Sequence, residues 1–487
     1  MLFNSYEFIF VFLPVTFFIY FYLNNKRFTV ASKGFLVCSS LFFYSWWNVY
    51  YLPIILTSIV FNYTIGRTLN KEFNKNGGKV FKRIILTLGV VLNLSLLGYF
   101  KYTDFLIENF NLAFDSSAEL LQLALPLAIS FFTFQQIAYL VDSYRQETKE
   151  YDFLNYALFV TFFPQLIAGP IVHHKEMMPQ FANTRNKVKN YRNIAMGLFI
   201  FSIGLFKKVV IADTFAVWAT SGFDMATTLN LFEAWATSLS YTFQLYFDFS
   251  GYTDMAIGLA LLFNIKLPIN FNSPYKATNI QDFWRRWHMT LSRFMRDYIY
   301  IPLGGNRKGE FRIYTNLLAT FILGGIWHGA GWTFVFWGFL HGMALITHRT
   351  WSKLGFNIWT WLAWLITFNF VNISWVFFRA REWNDAIKVI GSMFSVENII
   401  FPTLFASKLG FLSDYGVYFG GLTGNILAGK EIVLWLIIGF ILILFFRNSN
   451  QISTRKLTIW SSIFISIVLL ISIYSLGDKS EFLYYNF

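Results

Sequence analysis

The sequence predicts an all-α polytopic membrane protein, with about 11 transmembrane helices and some re-entrant or amphipathic helices around a central tunnel. Three observations predict it. The 487-residue chain is 56% hydrophobic and 21% aromatic but 13% charged, against roughly 25% charged residues in a soluble domain. Its mean hydropathy is +0.48. Apolar stretches close to the ~20 residues that a helix needs to cross a bilayer recur along the chain. Lys and Arg dominate the loops between them, and the net charge of +13 fits cytoplasmic loops beside anionic headgroups better than a nucleic-acid surface. The single cysteine, Cys38 in an apolar run, excludes an intrachain disulfide and a thiolate metal cluster.

The first span is predicted over Glu7–Leu23. It lacks a basic leader and a small-residue cleavage site, and Lys26, Arg27 and Lys33 follow it, so it reads as a retained span with the N-terminus outside. Gly34–Trp47 returns outward to an aromatic belt of Trp46, Trp47, Tyr50 and Tyr51, and Leu52–Ile65 comes back in. Arg67, Lys71, Lys75, Lys79, Lys82 and Arg83 mark the next loop as cytoplasmic. Ile84–Phe100 goes out, the mildly acidic Tyr102–Glu119 reads as an outer loop, and Leu121–Val141 returns to Asp142, Arg145 and Lys149.

Phe153–Val172 breaks the pattern. It is apolar but holds Pro164, Gly169 and Pro170, and basic residues flank it on both sides, so a broken, re-entrant segment is predicted. Ile194–Ala212 is the next span, with Lys207 and Lys208 expected to snorkel from its end. Leu229–Phe263 is too long for one crossing and carries Asp248, Ser250, Gly251, Thr253 and Asp254, which predicts a bent helix or two short ones, with the two aspartates as buried bend residues. Lys266–Arg312 has nine Lys and Arg against three acidic residues and reads as short amphipathic or re-entrant helices on the cytoplasmic side. Ile313–Trp327, Trp332–Ile346 and Ile358–Phe378 follow. After a loop with Gly, Ser and Tyr come Glu431–Phe446 and Ile459–Ile473. Arg447, Arg455 and Lys456 place the C-terminus outside as well. No repeat or separate soluble domain is evident, so residues 1–487 read as one integral membrane domain whose catalytic region lies at about 120–380.

The residue that organises this chain is His328, in Gly324-Gly325-Ile326-Trp327-His328-Gly329-Ala330-Gly331-Trp332. A histidine at membrane depth seldom faces lipid and is a functional candidate by default. The flanking glycines permit close backbone approach, and Trp327 and Trp332 are expected to wall the imidazole from bulk water. His288 has aromatic and cationic neighbours in Trp284-Arg285-Arg286-Trp287-His288. It is read either as a second site histidine or as a structural or headgroup-binding residue. Arg285, Arg286, Arg293 and Arg296 are either positive-inside anchors or holders of a phosphorylated donor, since Arg binds phosphate bidentately. His341 could line the site, His173 and His174 could be cavity or loop residues, and His348 reads as an interface residue. Gln165 and Asn372 could line the tunnel. No His-Glu-x-x-His, Gly-x-Ser-x-Gly, phosphate-loop or dinucleotide pattern occurs, so no metal site is predicted. A transporter would predict repeat-related broken helices, and Phe153–Val172 has no partner in the other half.

His328 in Gly-Ile-Trp-His-Gly, together with Trp284–Ser292 and Arg296–Gly305, resembles the membrane-bound O-acyltransferase family. Pro126–Gln136, Phe163–Ile171 and Ser374–Ala380 are similar to its bacterial alginate O-acetyltransferase branch. The resemblance covers about residues 1–380. It implies an O-acyltransferase of the bacterial cytoplasmic membrane that moves an acyl group, acetyl by expectation, from a cytoplasmic thioester such as acetyl-coenzyme A towards an extracytoplasmic polysaccharide such as alginate or peptidoglycan. It also implies no bound cofactor, contact with membrane lipids, no nucleic-acid partner, and a separate extracytoplasmic acetyltransferase to complete the transfer. His328 matches the family's base position and His288 its second polar position. The same histidine pair would serve D-alanyl transfer to teichoic acid. The alternative from another class is a transporter of polysaccharide or lipid-linked sugar.

Overall fold

The computed structural model describes residues 1–71, 78–148, 152–395, 399–453, 458–477 and 483. Lys75, Lys149, Arg455 and Lys456, used in the loop-charge reading, lie outside the described residues. A chain this apolar satisfies its backbone polar groups inside helices, and helices follow one another nearly throughout. α1 (Phe8–Asn25), α2 (Thr29–Ser45), α3 (Leu52–Asn70) and α4 (Gly78–Phe114) form the N-terminal part. α5 (Ile129–Tyr144), α6 (Phe153–Thr161), α7 (Phe163–Leu166) and α8 (His174–Ala182) lead to the long α9 (Tyr191–Met225) and α10 (Leu231–Leu262). The short α11 (Ile280–Arg286) and α12 (Met289–Met295) precede the pair α13 (Gly309–His328) and α14 (Trp332–Leu354). α15 (Thr360–Arg379), α16 (Trp383–Phe394), α17 (Glu431–Phe445), α18 (Ser449–Ser453) and α19 (Ile459–Tyr474) complete the helices. Among the described residues, one small parallel sheet pairs β1 (Ile399–Pro402) with β2 (Val417–Gly420).

Among the described residues, five helices are long and apolar enough to cross a membrane: Phe8–Asn25, Val49–Asn70, Gly78–Phe114, Tyr191–Met225 and Thr360–Arg379. The protein is a helical, multi-pass membrane protein. α4 shows its lipid-type face directly: Ile84, Leu88, Val91 and Leu94 are exposed, while Gly89, Asn93 and Leu97 are buried.

Four elements differ from the sequence expectation. Tyr102–Glu119 is not a loop as far as Phe114, because its acidic residues sit among Phe105, Leu106, Ile107 and Phe110 with no helix breaker, and α4 runs on through them. α5 starts at Ile129 rather than Leu121, since Pro126 and a left-handed Ala128 (φ 60°) block an earlier start. α10 is one uninterrupted helix of 32 residues. The region after α15 is not only loop: it contains α16, whose N-terminus is closed by a Glu382–Asp385 capping box, and the small sheet. By contrast, Phe153–Val172 is broken as expected. α6 stops at Phe162 (ψ 107°), α7 makes one turn from Phe163 with Pro164 in its first turn, and the chain then runs without regular structure to His173.

The packing of α9 on α10 explains why the polar run of α10 does not bend it. Glycines face glycines: a Cβ on Gly204 would stand 2.6 Å from the Gly251 carbonyl, and one on Gly258 would stand 2.6 Å from the Gly197 carbonyl. The helices therefore touch at their backbones, as small residues allow at membrane helix interfaces. At that contact α9 makes a π-helical turn, Lys207–Ala212, from which two consecutive lysines reach inward. Lys207 pairs with Asp254 at 2.6 Å, and Lys208 with Asp248 and Asp213, each at 2.7 Å. Both lysines are held in the interior and do not snorkel. The acidic groups of α10 are neutralised in place, so its ladder needs no break.

Removing one member of a buried pair strands the other charge and costs about 3–5 kcal/mol. Lys208→Met is therefore expected to lower the thermal unfolding midpoint in detergent sharply, and Lys208→Met with Asp248→Asn is expected to recover part of that loss. Equal midpoints for wild type and the single variant would show that the pair does not hold the α9–α10 contact.

Candidate functional site

His328 is the last residue of α13, and the chain turns at Gly329–Gly331 into α14. The glycines of the motif work chiefly between helices. A Cβ on Gly325 would lie 2.2 Å from the Phe334 carbonyl, one on Gly338 2.3 Å from the Phe321 carbonyl, and one on Gly329 2.1 Å from the Phe334 ring. The α13–α14 hairpin closes because those Cβ atoms are missing. His328 is 4% exposed. Its ring is boxed by Trp327, Phe378 and Trp337, at centroid distances of 4.8, 5.0 and 5.2 Å.

A cavity of about 590 Å³ reaches this imidazole, lined among others by Trp284, Arg285, Met289, Ser292, Trp337 and His328. Arg293 and Arg296 also border it, but Arg293 makes a bidentate pair with Glu176 at 2.7 and 3.0 Å and Arg296 pairs with Asp297 at 2.7 Å. Arg286 turns away to Asp282 at 2.9 Å. Arg285 is exposed at the cavity and has no acidic partner among the described residues.

His288 is 1% exposed and adopts a left-handed backbone (φ 42°), an uncommon state for a non-glycine residue and one that clusters at functional sites. Its ring hydrogen bonding fixes its tautomer. The Asn270 side-chain oxygen already accepts from the Thr290 backbone N–H at 3.2 Å and the Thr290 hydroxyl at 2.9 Å. The His288 Nδ1 contact to that oxygen, at 3.1 Å, therefore requires Nδ1 to carry the proton. Nε2 is left as an acceptor with no hydrogen-bond partner among the described residues. The Trp327 indole lies 6.5 Å from the His288 ring as well as beside His328.

The remaining candidates fall elsewhere. Trp327 is buried, stacked on Phe134 at 5.0 Å, and touches both histidines without being among the residues that line the cavity. Trp332 is 62% exposed and donates to Asn109, so it does not wall in His328; one helical start after the turn, its ring projects outward. Gln165 is buried in the broken segment and donates to the Phe159 carbonyl. Asn372 is buried and accepts from Thr242. His341 lies behind the cavity: its Nδ1 takes the Trp284 indole N–H at 3.2 Å and its Nε2 meets Ser374 at 3.0 Å. His173 pairs with Asp142 at 3.2 Å beside Tyr298, His174 is buried against Tyr139 and Phe159, and His348 is half-buried. Among the described residues no group of three or more His, Cys, Asp and Glu could hold a metal ion.

Two residues near the site were missed by sequence reasoning. Asn270 carried no local signal. Lys101 did: a lone cation among apolar residues is a functional candidate, but the expected span was ended one residue too early.

Fold and site define a multi-pass membrane protein that holds a polar centre at a helix end, open to a largely apolar cavity. Comparison with known proteins then identifies it: the chain belongs to the membrane-bound O-acyltransferase family, whose model matches residues 141–381, and it is an O-acyltransferase. It is 52% identical to the peptidoglycan O-acetyltransferase of Helicobacter pylori, over 100% of this chain and 98% of the relative. It is 42% identical to the probable alginate O-acetylase of Pseudomonas aeruginosa, over 81% of this chain and 75% of the relative. The teichoic acid D-alanyltransferase of Bacillus subtilis is 29% identical over 53% of this chain and 69% of its own length.

Asn270→Ala removes the acceptor that sets the His288 tautomer. Acyl transfer by the folded variant is expected to fall about tenfold, a part of the roughly 10²–10⁴-fold that general acid–base help supplies; unchanged turnover would detach that tautomer from the chemistry.

Proposed function

We propose that the protein acetylates hydroxyl groups of an extracytoplasmic polysaccharide, peptidoglycan by preference, from a cytoplasmic thioester such as acetyl-coenzyme A, with His328 as the general base. The observation that carries this reading is His328 itself, a nearly inaccessible imidazole at the inner end of a 590 Å³ cavity bordered by an arginine without an acidic partner. Full-length similarity to a peptidoglycan O-acetyltransferase favours that acceptor and an acetyl group; the D-alanyltransferase likeness is weaker and covers about half the chain.

In the reaction the acceptor oxygen attacks the thioester carbonyl. The C–O bond forms, the C–S bond breaks, and the hydroxyl proton passes through His328 to the leaving thiolate. Neutral imidazole suits both transfers, and such help is worth about 10²–10⁴-fold. The rest comes from aligning two substrates where water is excluded. His288, with Nε2 available as an acceptor, orients the hydroxyl or shares its proton. Arg285 meets the phosphates of the donor, since Arg supplies paired donors to phosphate. Trp284 forms the wall along which the donor lies.

The protein sits in the bacterial cytoplasmic membrane with about 11 crossings and both termini outside, and residues 1–487 act as one domain around a tunnel that admits the donor from one face and the acceptor from the other. A separate extracytoplasmic acetyltransferase completes the transfer to the polymer, and membrane lipids surround the apolar faces.

The test is alkali-labile acetate in purified peptidoglycan from cells lacking the gene and complemented with each variant. Wild type should restore the acetate, His328→Ala should leave the background level, and His288→Ala should fall at least tenfold. Arg285→Ala should raise the donor KM about five- to tenfold in the purified protein while leaving kcat near wild type. Full acetate with His328→Ala would overturn the assignment of the base; acetate on another polymer only would move the acceptor.

A further inference from the structure

The helix that delivers His328 ends in the protein interior, which raises a definite physical problem. The last four carbonyls of a helix have no partner within it, and together they carry the negative end of the helix dipole. Trp327 and His328 are buried, and an unpaired buried carbonyl is costly. Two consecutive residues of α4 meet this need. The Lys101 ammonium donates to the Trp327 carbonyl at 2.6 Å and the His328 carbonyl at 3.1 Å, and the Tyr102 hydroxyl donates to the Ile326 carbonyl at 2.7 Å. Three successive carbonyls, ending on that of His328, are therefore held from one neighbouring helix. Lys101 also reaches Ser130 Oγ at 3.4 Å on α5, and its ammonium stands 5.9 Å from the centre of the Trp327 ring, the indole that contacts both His328 and His288.

Lys101 has a second neighbour. A separate cavity of about 300 Å³ is lined by Lys101, Asp104, Leu125, Gly329, Ala330 and Phe334, so it opens on the residues that directly follow His328. Lys101 is the side chain that stands between this cavity and the end of α13. Three of its contacts are to acceptors and, among the described residues, none is to a carboxylate, so its charge is directed at the helix end.

We propose that Lys101 is a positioning residue for acyl transfer: by capping the carbonyls of Trp327 and His328 it fixes the height and rotation of the His328 imidazole between the two cavities, with Tyr102 as the supporting cap one residue earlier. The inference rests on His328 being the reacting base. Loss of the cap leaves the α13–α14 hairpin, with its glycine contacts, in place but allows its tip to move. A misplacement of about 1 Å at a reacting group can cost 10²-fold in rate, so the effect belongs in kcat. The donor cavity, lined from α11, α12, α13 and α14, does not include Lys101, so the donor KM should not change.

The experiment is steady-state acyl transfer from labelled acetyl-coenzyme A by purified full-length protein in nanodiscs, with thermal unfolding recorded for each variant. Lys101→Met keeps the length and loses the donors; its kcat should fall 30- to 100-fold with donor KM within twofold of wild type. Tyr102→Phe, which removes one neutral donor, should fall about threefold and guards against a Lys101 variant that fails to fold. Lys101→Arg restores a cation with several N–H groups, and the neighbouring cavity leaves room for its bulk, so it should recover at least fivefold over Lys101→Met. A Lys101→Met kcat within twofold of wild type, an Arg variant no better than Met, or a loss that appears in donor KM instead would each overturn the proposal. His328→Ala in the same series separates the two readings: if it retains activity the assigned base fails, whereas if it is inactive and Lys101→Met is not, only the positioning role fails.

Discussion

A polar backbone group buried inside a protein must find its partner there, and α13 ends in the interior, where His328 is 4% exposed. Everything around His328 answers that constraint. Lys101 and Tyr102 take the three terminal carbonyls, glycines at 325, 329 and 338 let α14 close over the end, and Trp327, Trp337 and Phe378 fill the space left around the imidazole. Were the helix end unsatisfied, water or lipid headgroups would be drawn to it and the histidine would lose its defined place. The same arrangement that completes the helix thus leaves an imidazole with restricted access at a cavity.

The rest of the architecture supports that point. α10 is the central beam, buried along most of its length, and its N-terminus is closed by a capping box in which Glu233 also receives Asn425. The buried Lys208 and the half-buried Lys207 neutralise its aspartates and lock α9 against it. The broken segment after α6 brings Ile171 to the Thr290 hydroxyl, and Thr290 shares the Asn270 oxygen with His288. A chain of hydrogen bonds therefore runs from an irregular stretch of backbone to the second histidine, a use of non-helical chain that is tolerated where protein surrounds it. His341 supports the cavity from behind by holding the Trp284 indole, and with both ring nitrogens engaged it has no lone pair left for substrate.

Much of this was legible in the sequence, for physical reasons that also set the limits. Long apolar stretches can only be helices in lipid, so α1, α3, α9 and α15 fall on segments read from hydropathy. Boundaries failed where charge was taken to mean solvent. Asp104 and Glu108 ride on the extension of α4, and Asp248 and Asp254 stay inside α10 because Lys208 and Lys207, some forty residues away, meet them. The Gly-Ile-Trp-His-Gly motif marked His328, since composition and spacing around it are local. The partners that define its setting are not local: Lys101 lies 227 residues away, and Asn270 precedes His288 by 18. Arg286, Arg293 and Arg296 look alike in sequence, and only their distances to Asp282, Glu176 and Asp297 show that Arg285 is the one without a carboxylate among the described residues. Trp332 was misplaced because a three-residue turn inverts the direction of the chain between it and His328.

In the proposed reaction a single buried imidazole carries the acceptor's proton during acyl transfer. The most direct test of that role is a single-turnover measurement with the purified protein in nanodiscs, following loss of the thioester absorbance of acetyl-coenzyme A when a soluble hydroxyl acceptor is added. Wild type should consume one thioester per protein in a burst whose rate falls by at least 10²-fold in His328→Ala, with both proteins unfolding at the same temperature. Equal burst rates in the two would contradict the account and place the chemistry at another group.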